Sequence, residues 1–232
     1  EVQGLQVCTF HAYCNELLIA ADRKFGVLDD KQLWIFLRKN LRELKLNYFV
    51  RAANVSKFLD DLLDFIRRCH DELVTPEAYR DYVCRLEKGE LPIPRVTKSK
   101  DIDEISDEEA LGRCREIAFA FETVERMLRE RNLGTFSHMI LGANDLLANN
   151  PEVLAKARGR AKFILVDEFQ DANFAQIEVL GKIAGGNSET QNIFAVGDPD
   201  QGIYRFRGAS SEAFDLFLQR FPDAKLVSLT RN

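Results

Sequence analysis

The chain has no long apolar run. No window of its 232 residues approaches the roughly 20 consecutive apolar positions that a membrane-spanning helix needs. The first residues carry no signal-peptide pattern either, so no membrane role is expected and a cytoplasmic setting is. Cysteine is sparse and scattered. The five thiols, at 8, 14, 69, 84 and 114, form no Cys-x-x-Cys pair. An odd set without such pairs argues against a disulfide scaffold and a zinc site, and points to a reducing compartment. Basic charge is not in excess: 32 Lys and Arg face 37 Asp and Glu, for a net charge of -5. A general basic coat for nucleic acid is therefore absent, while a local groove remains open. The pattern Gly-x-x-x-x-Gly-Lys-Ser/Thr, a backbone cradle for phosphates, does not occur.

What is present is enough apolar content, 46%, to bury a real core in one large or two modest domains. The chain is organised around residues 162–171, Lys-Phe-Ile-Leu-Val-Asp-Glu-Phe-Gln-Asp. An apolar run that ends in carboxylates predicts a strand of a parallel sheet, covered on both faces. Open α/β sheets hold their ligands at the C-terminal ends of such strands. There, one of Asp167 and Glu168 could hold a hydrated Mg²⁺ while the other handles a water, as nucleotide hydrolysis requires. The same pair also fits a solvated loop start.

Further strands are predicted at 5–10, 192–196 and 225–229. Between the first of these and the rest, the pattern turns helical. Asp29 with Gln32 predicts a capping box, Ser56 a helix cap, Thr75-Pro76 a cap followed by proline at the first helical position, and Gly89 a stop. Residues 89–105 are expected to form an exposed loop. Ser106 with Glu109 opens another helix, whose acidic first turn suits the helix dipole. Helices are also expected at 137–148, after Asn150-Pro151, at 173–184 and after Ser210. The simplest topology is an α/β domain interrupted by a helical insertion: residues 1–26, then the insertion 27–112, then residues 113–232.

Asp198, Asp200 and Gln201 follow the second apolar strand much as Asp167 and Glu168 follow the first. If the strands are neighbours, Gln201 can reach a water or terminal phosphate near Glu168. The segment Gly-Asp-Pro-Asp-Gln-Gly is equally rich in turn formers. Beyond it, Tyr204 and Phe206 alternate with Arg205 and Arg207. Rings on one face and guanidiniums on the other can stack bases and reach phosphates, or can form an edge strand with buried rings. Thr9 and His11, at a strand-to-helix turn, could touch a nucleic-acid strand or act locally as caps.

Asp167–Gln176 resembles motif II, and Val196–Ala209 motif III, of the superfamily 1 DNA helicases of the UvrD/Rep kind. Cys8–Cys14 is similar to their motif Ib, and Leu229–Asn232 to the opening of motif IV. The resemblance implies an α/β fold: an incomplete RecA-like (P-loop NTPase) parallel sheet with an all-helical inserted subdomain. It implies an ATP-dependent, 3′-to-5′ DNA helicase of repair or recombination. ATP and Mg²⁺ would be the cofactors, single-stranded and duplex DNA the partners, with repair or recombination proteins possible beside them. In a bacterium the setting would be nucleoid-associated.

Carried over, Asp167 would ligate Mg²⁺, Glu168 would polarise the attacking water and Gln201 would sense the γ-phosphate. Tyr204 and Phe206 would stack on bases, Arg207 would lie between nucleotide and DNA, and Thr9 and His11 would touch the strand. Two segments depart from the family pattern. Gly134–Met139 lacks the carboxylates common there, and Phe206 stands where tryptophan is frequent. Both ends of the chain look cut, and the phosphate cradle and second RecA-like domain lie outside it. The expectation is a helicase fragment without hydrolytic activity of its own. The alternatives are a subunit of a RecB/AddA-type helicase-nuclease, or a non-catalytic DNA-binding protein lacking the phosphate loop.

Overall fold

The structure, a computed structural model, describes residues 4–49, 55–94, 106–185, 192–198, 201 and 213–229. These fall into two compact units. The first is drawn from described residues within 1–24, 71–73 and 137–232, the second from those within 25–70 and 74–136.

The second unit is helical. Helix α2 (Asp30–Lys39) starts at the reciprocal capping box of Asp29 and Gln32. A 3₁₀ turn (Leu41–Leu44) follows, then α3 (Val55–Asp71), most of which lies in this unit. Ser56 sits inside α3 and does not cap it. Helix α4 (Pro76–Glu87) is capped by the Thr75 hydroxyl and ends before Gly89, whose φ of +71° glycine adopts without strain. Helix α5 (Asp107–Glu130) begins where the Ser106 hydroxyl accepts from the Glu109 amide, behind an acidic first turn. The core joins Leu33 and Leu37, Leu59, Leu62 and Ile66, and Phe121, Val124 and Leu128, all at helical spacing. The buried Glu116 carboxylate accepts from the backbone amides of Tyr48 at 2.8 Å and Phe49 at 3.3 Å, holding the incoming chain against α5. A short parallel pair, β1 (Gly26–Val27) with β2 (Leu133–Gly134), belongs to the same unit. Gly26 thus starts a strand pairing.

The first unit holds α1 (Phe10–Ala20), most of α6 (Phe136–Asn149), α7 (Pro151–Arg160), β3 (Ile164–Val166), α8 (Phe174–Ala184), β4 (Ile193–Ala195) and α9 (Ala213–Arg220). Asn150 caps α7 ahead of Pro151, and Asn173 with Gln176 forms a second capping box at α8. Strands β3 and β4 pair in parallel, Ile164 with Ile193 through Val166 with Ala195. This is the α/β class with parallel strands expected from the sequence.

Some expectations need correction. Residues 5–9 and 225–229 are not in strands among the described residues. Nor is β3 covered on both faces. Ile164, Val166, Ile193 and Ala195 face a core built with Phe169, Ile177, Leu180, Phe217 and Phe221. The alternate positions Leu165 and Phe194 remain 73% and 61% exposed. Strand side chains alternate, so packing on a single side leaves every second apolar residue uncovered.

Candidate nucleotide and nucleic-acid site

The acidic turn after β3 is set by what is buried on either side of it. Val166 and Phe169 are both drawn into the core. Phe169 is fully enclosed, edge-on to Phe214 and Phe217 with ring centroids 5.5 and 5.1 Å away. With these two anchored, Asp167 and Glu168 between them are forced outward, and both are exposed. Glu168 takes the left-handed conformation at φ +51°, uncommon for a residue with a side chain. Its amide donates to Asp167 Oδ1 at 3.0 Å, and a 3₁₀ turn (Phe169–Asp171) follows.

The ladder continues past the strands. Val196 N donates to Val166 O and Phe169 N donates to Val196 O, both at 2.9 Å. This carries the chain after β4 alongside the acidic turn. Gln170 lies buried beneath it. Its Nε2 donates to Glu168 Oε2 at 2.6 Å, a charge-assisted bond, and its Oε1 accepts from Asp198 N at 3.0 Å. Asp198 in turn receives Gln201: the Gln201 side chain donates to Asp198 Oδ2 at 2.8 Å and its amide to Asp198 O at 3.0 Å. A relay of hydrogen bonds therefore links Glu168 to Gln201 through Gln170 and Asp198. Sequence reasoning singled out the carboxylates and Gln201 but missed Gln170. The available signal was a neutral amide beside a phenylalanine, in a turn otherwise made of acids.

Exposed carboxylates at the C-terminal end of parallel strands are hard oxygen donors with room for water, the donor set that suits Mg²⁺. Asp167 and Glu168 meet that description.

Thr9 and His11 flank Phe10, which packs against the same core as Val166 and Phe169. The Thr9 hydroxyl caps α1 by accepting from Ala12 N at 3.2 Å. His11 is half-buried, and burial holds its pKa below the ordinary value, so it is neutral at neutral pH. Burial also pushes the Tyr13 hydroxyl and the Cys14 thiol up to about 12. Tyr204, Phe206 and Arg207 lie outside the described residues, as do Asp200, Arg205 and Ser210. No described helix is long and apolar enough to cross a membrane.

Comparison with known proteins matches residues 1–222 to the family model of the UvrD/REP helicase N-terminal domain. The chain is 30% identical over 239 residues to a protein of Mycoplasma pneumoniae described as a probable DNA helicase; the match covers 100% of this chain and 39% of that protein. It is 26% identical over 238 residues to the ATP-dependent DNA helicase Rep of Buchnera aphidicola, covering 100% of this chain and 31% of that one. Over 112 residues, 48% of this chain and 15% of the relative, it is 37% identical to DNA helicase II of Escherichia coli. The chain thus spans well under half the length of these relatives.

Proposed function

The chain belongs to the UvrD/REP helicase family, and from that premise we propose that it forms part of an ATP-dependent 3′-to-5′ DNA helicase of repair or recombination. Residues 27–112 are its helical insertion, and the flanking residues 1–26 and 113–232 belong to one RecA-like domain. The protein acts on single-stranded and duplex DNA in the cytoplasm, where repair or recombination proteins are its further partners.

In this reading Asp167 holds Mg²⁺, which screens the negative charge that builds up on the phosphates. Glu168 orients and polarises the attacking water. Glu168 is exposed beyond the strand end, where water can reach it. Gln201 offers a neutral amide that can hydrogen-bond a terminal phosphate or a water. Tyr204 and Phe206 stack on bases, with Arg207 at the boundary between nucleotide and DNA, while Thr9 and the neutral His11 contact the strand by hydrogen bonding.

The observation that carries this reading is the parallel pairing of β3 with β4, extended by the Phe169–Val196 bond. It supports delivery of the acidic pair and Gln201 to one end of the sheet. The test is Glu168→Gln in the complete polypeptide. The variant should bind ATP with near-normal affinity and lose DNA-stimulated turnover. Undiminished hydrolysis would remove Glu168 from its role.

A further inference from the structure

We propose that Gln170 is a positioning residue, which holds the Glu168 carboxylate and the Gln201 amide in a fixed mutual relation and passes a displacement of one to the other. This rests on the nucleotide-hydrolysis reading above.

Gln170 is only 5% exposed, and a buried amide needs both of its polar ends satisfied. Here they are satisfied by the two segments that carry the candidate chemistry. Nε2 serves Glu168 and Oε1 serves the Asp198 amide, while the Asp198 carboxylate holds Gln201. The residue type matters because one end must donate to an anion and the other must accept from an N–H. Glutamate offers no donor and sets a second negative charge beside Glu168. Leucine fills the volume but leaves the Asp198 amide without its acceptor. Asparagine is one methylene too short to span both sites.

Two further observations point to the same contact. A β-carbon at position 197 would collide with the Gln170 side-chain oxygen, so the neighbouring strand end is shaped around this amide. Glu168 is held in a left-handed conformation, which needs local support to persist; the Gln170 bond to its carboxylate is such support. The amide is planar and pinned at both ends. A shift of Glu168 toward a water or phosphate therefore pulls on Nε2 and is carried to Asp198 and Gln201.

The test compares wild type, Gln170→Ala, Gln170→Glu, Gln201→Ala and the Gln170→Ala/Gln201→Ala double variant in the complete polypeptide. ATP turnover is measured with and without single-stranded DNA, together with hydrogen exchange at the Asp198 amide. Both Gln170 variants should lose about 10- to 100-fold in kcat, the usual range for a residue supporting a reacting group, with KM for ATP little changed. The double variant should lose no more DNA stimulation than the worse single one, because the two residues act in series. Exchange at Asp198 should quicken in Gln170→Ala and stay slow in Gln170→Glu, whose carboxylate still accepts. Fully multiplicative losses, or wild-type kcat in a folded Gln170→Ala, would overturn the proposal. If Gln170→Ala does not fold, wild-type kcat in Gln170→Glu overturns it instead. Wild-type protein without any DNA-stimulated hydrolysis would remove the underlying reading and this role with it. Normal wild-type turnover alongside unaffected Gln170 variants would remove this role alone.

Discussion

The side-chain oxygen of Gln170 occupies the space a β-carbon on Gly197 would need, with the backbone nitrogen of Phe169 only 2.9 Å from that same point. The close approach binds two segments that are distant in sequence and neighbours at the end of the sheet. Glycine is required at 197 for lack of room. Gly197→Ala should cost about 1–3 kcal/mol of stability, the usual range for overpacking, because the obstructing atoms include backbone. It should also displace Gln170. Urea denaturation measures the first effect, and an unchanged midpoint would show that the acidic turn can move aside.

Asn144 plays a comparable linking role between helices of the first unit. It is 6% exposed. Its Nδ2 donates to Ala175 O and its Oδ1 accepts from Lys182 Nζ, both at 2.8 Å. Asn144→Leu removes one acceptor from Lys182, which keeps Glu178 Oε2 at 3.6 Å, and one donor from the Ala175 carbonyl, which lies within α8. The expected loss is about 0.5–1.5 kcal/mol for each hydrogen bond removed, since both groups keep a second partner. Equilibrium denaturation of this variant beside Asn144→Asp separates the terms, since aspartate keeps the acceptor for Lys182 and loses the donor to Ala175. If the leucine variant is as stable as wild type, water or a rearranged Lys182 satisfies both groups.

Local chemistry made much of this fold readable. The Asp29–Gln32 box, the Thr75 cap before Pro76, the Asn150 cap before Pro151 and the acidic opening of α5 each depend on residues within one turn of one another. Features that need a distant partner were less legible. The runs at 5–10 and 225–229 have strand composition, yet a strand exists only where another chain segment pairs with it. Likewise the run Phe163–Val166 fixes that a strand forms but not how many layers cover it, and Leu165 is exposed while Val166 is buried. At the site, the carboxylates announced themselves by ending an apolar run. Gln170 did not, because its importance arises from the Asp198 amide that β4 brings to it.

Phe121 tests the core of the helical unit. It is fully buried, and its ring meets Phe65 edge-on at 6.0 Å and lies 5.8 Å from His70. Phe121→Ala should cost about 3–5 kcal/mol through lost burial and the cavity left behind. Phe121→Leu should cost clearly less. Denaturation midpoints of the pair check this; equal losses would mean that ring geometry, and not volume, holds α5 in place.

His11 makes the stability of the chain depend on pH in a defined direction. Burial lowers its folded-state pKa below the ordinary 6.5, while the unfolded chain titrates near that ordinary value. On acidification the unfolded state therefore takes up the proton first. Stability from this group is complete above 6.5 and declines as the pH falls through that value toward the lowered folded pKa. His11→Gln removes the titration and keeps a hydrogen-bonding side chain, so its melting temperature should fall less between about pH 7 and pH 5 than that of wild type. The same neutrality bears on DNA. An uncharged imidazole releases no counterion, so the variant should leave the salt dependence of DNA affinity at neutral pH unchanged, whereas loss of a phosphate-bound arginine would reduce the slope. A shallower salt slope in His11→Gln would mean that the bound histidine is protonated, with the DNA phosphates supplying the charge that offsets its burial.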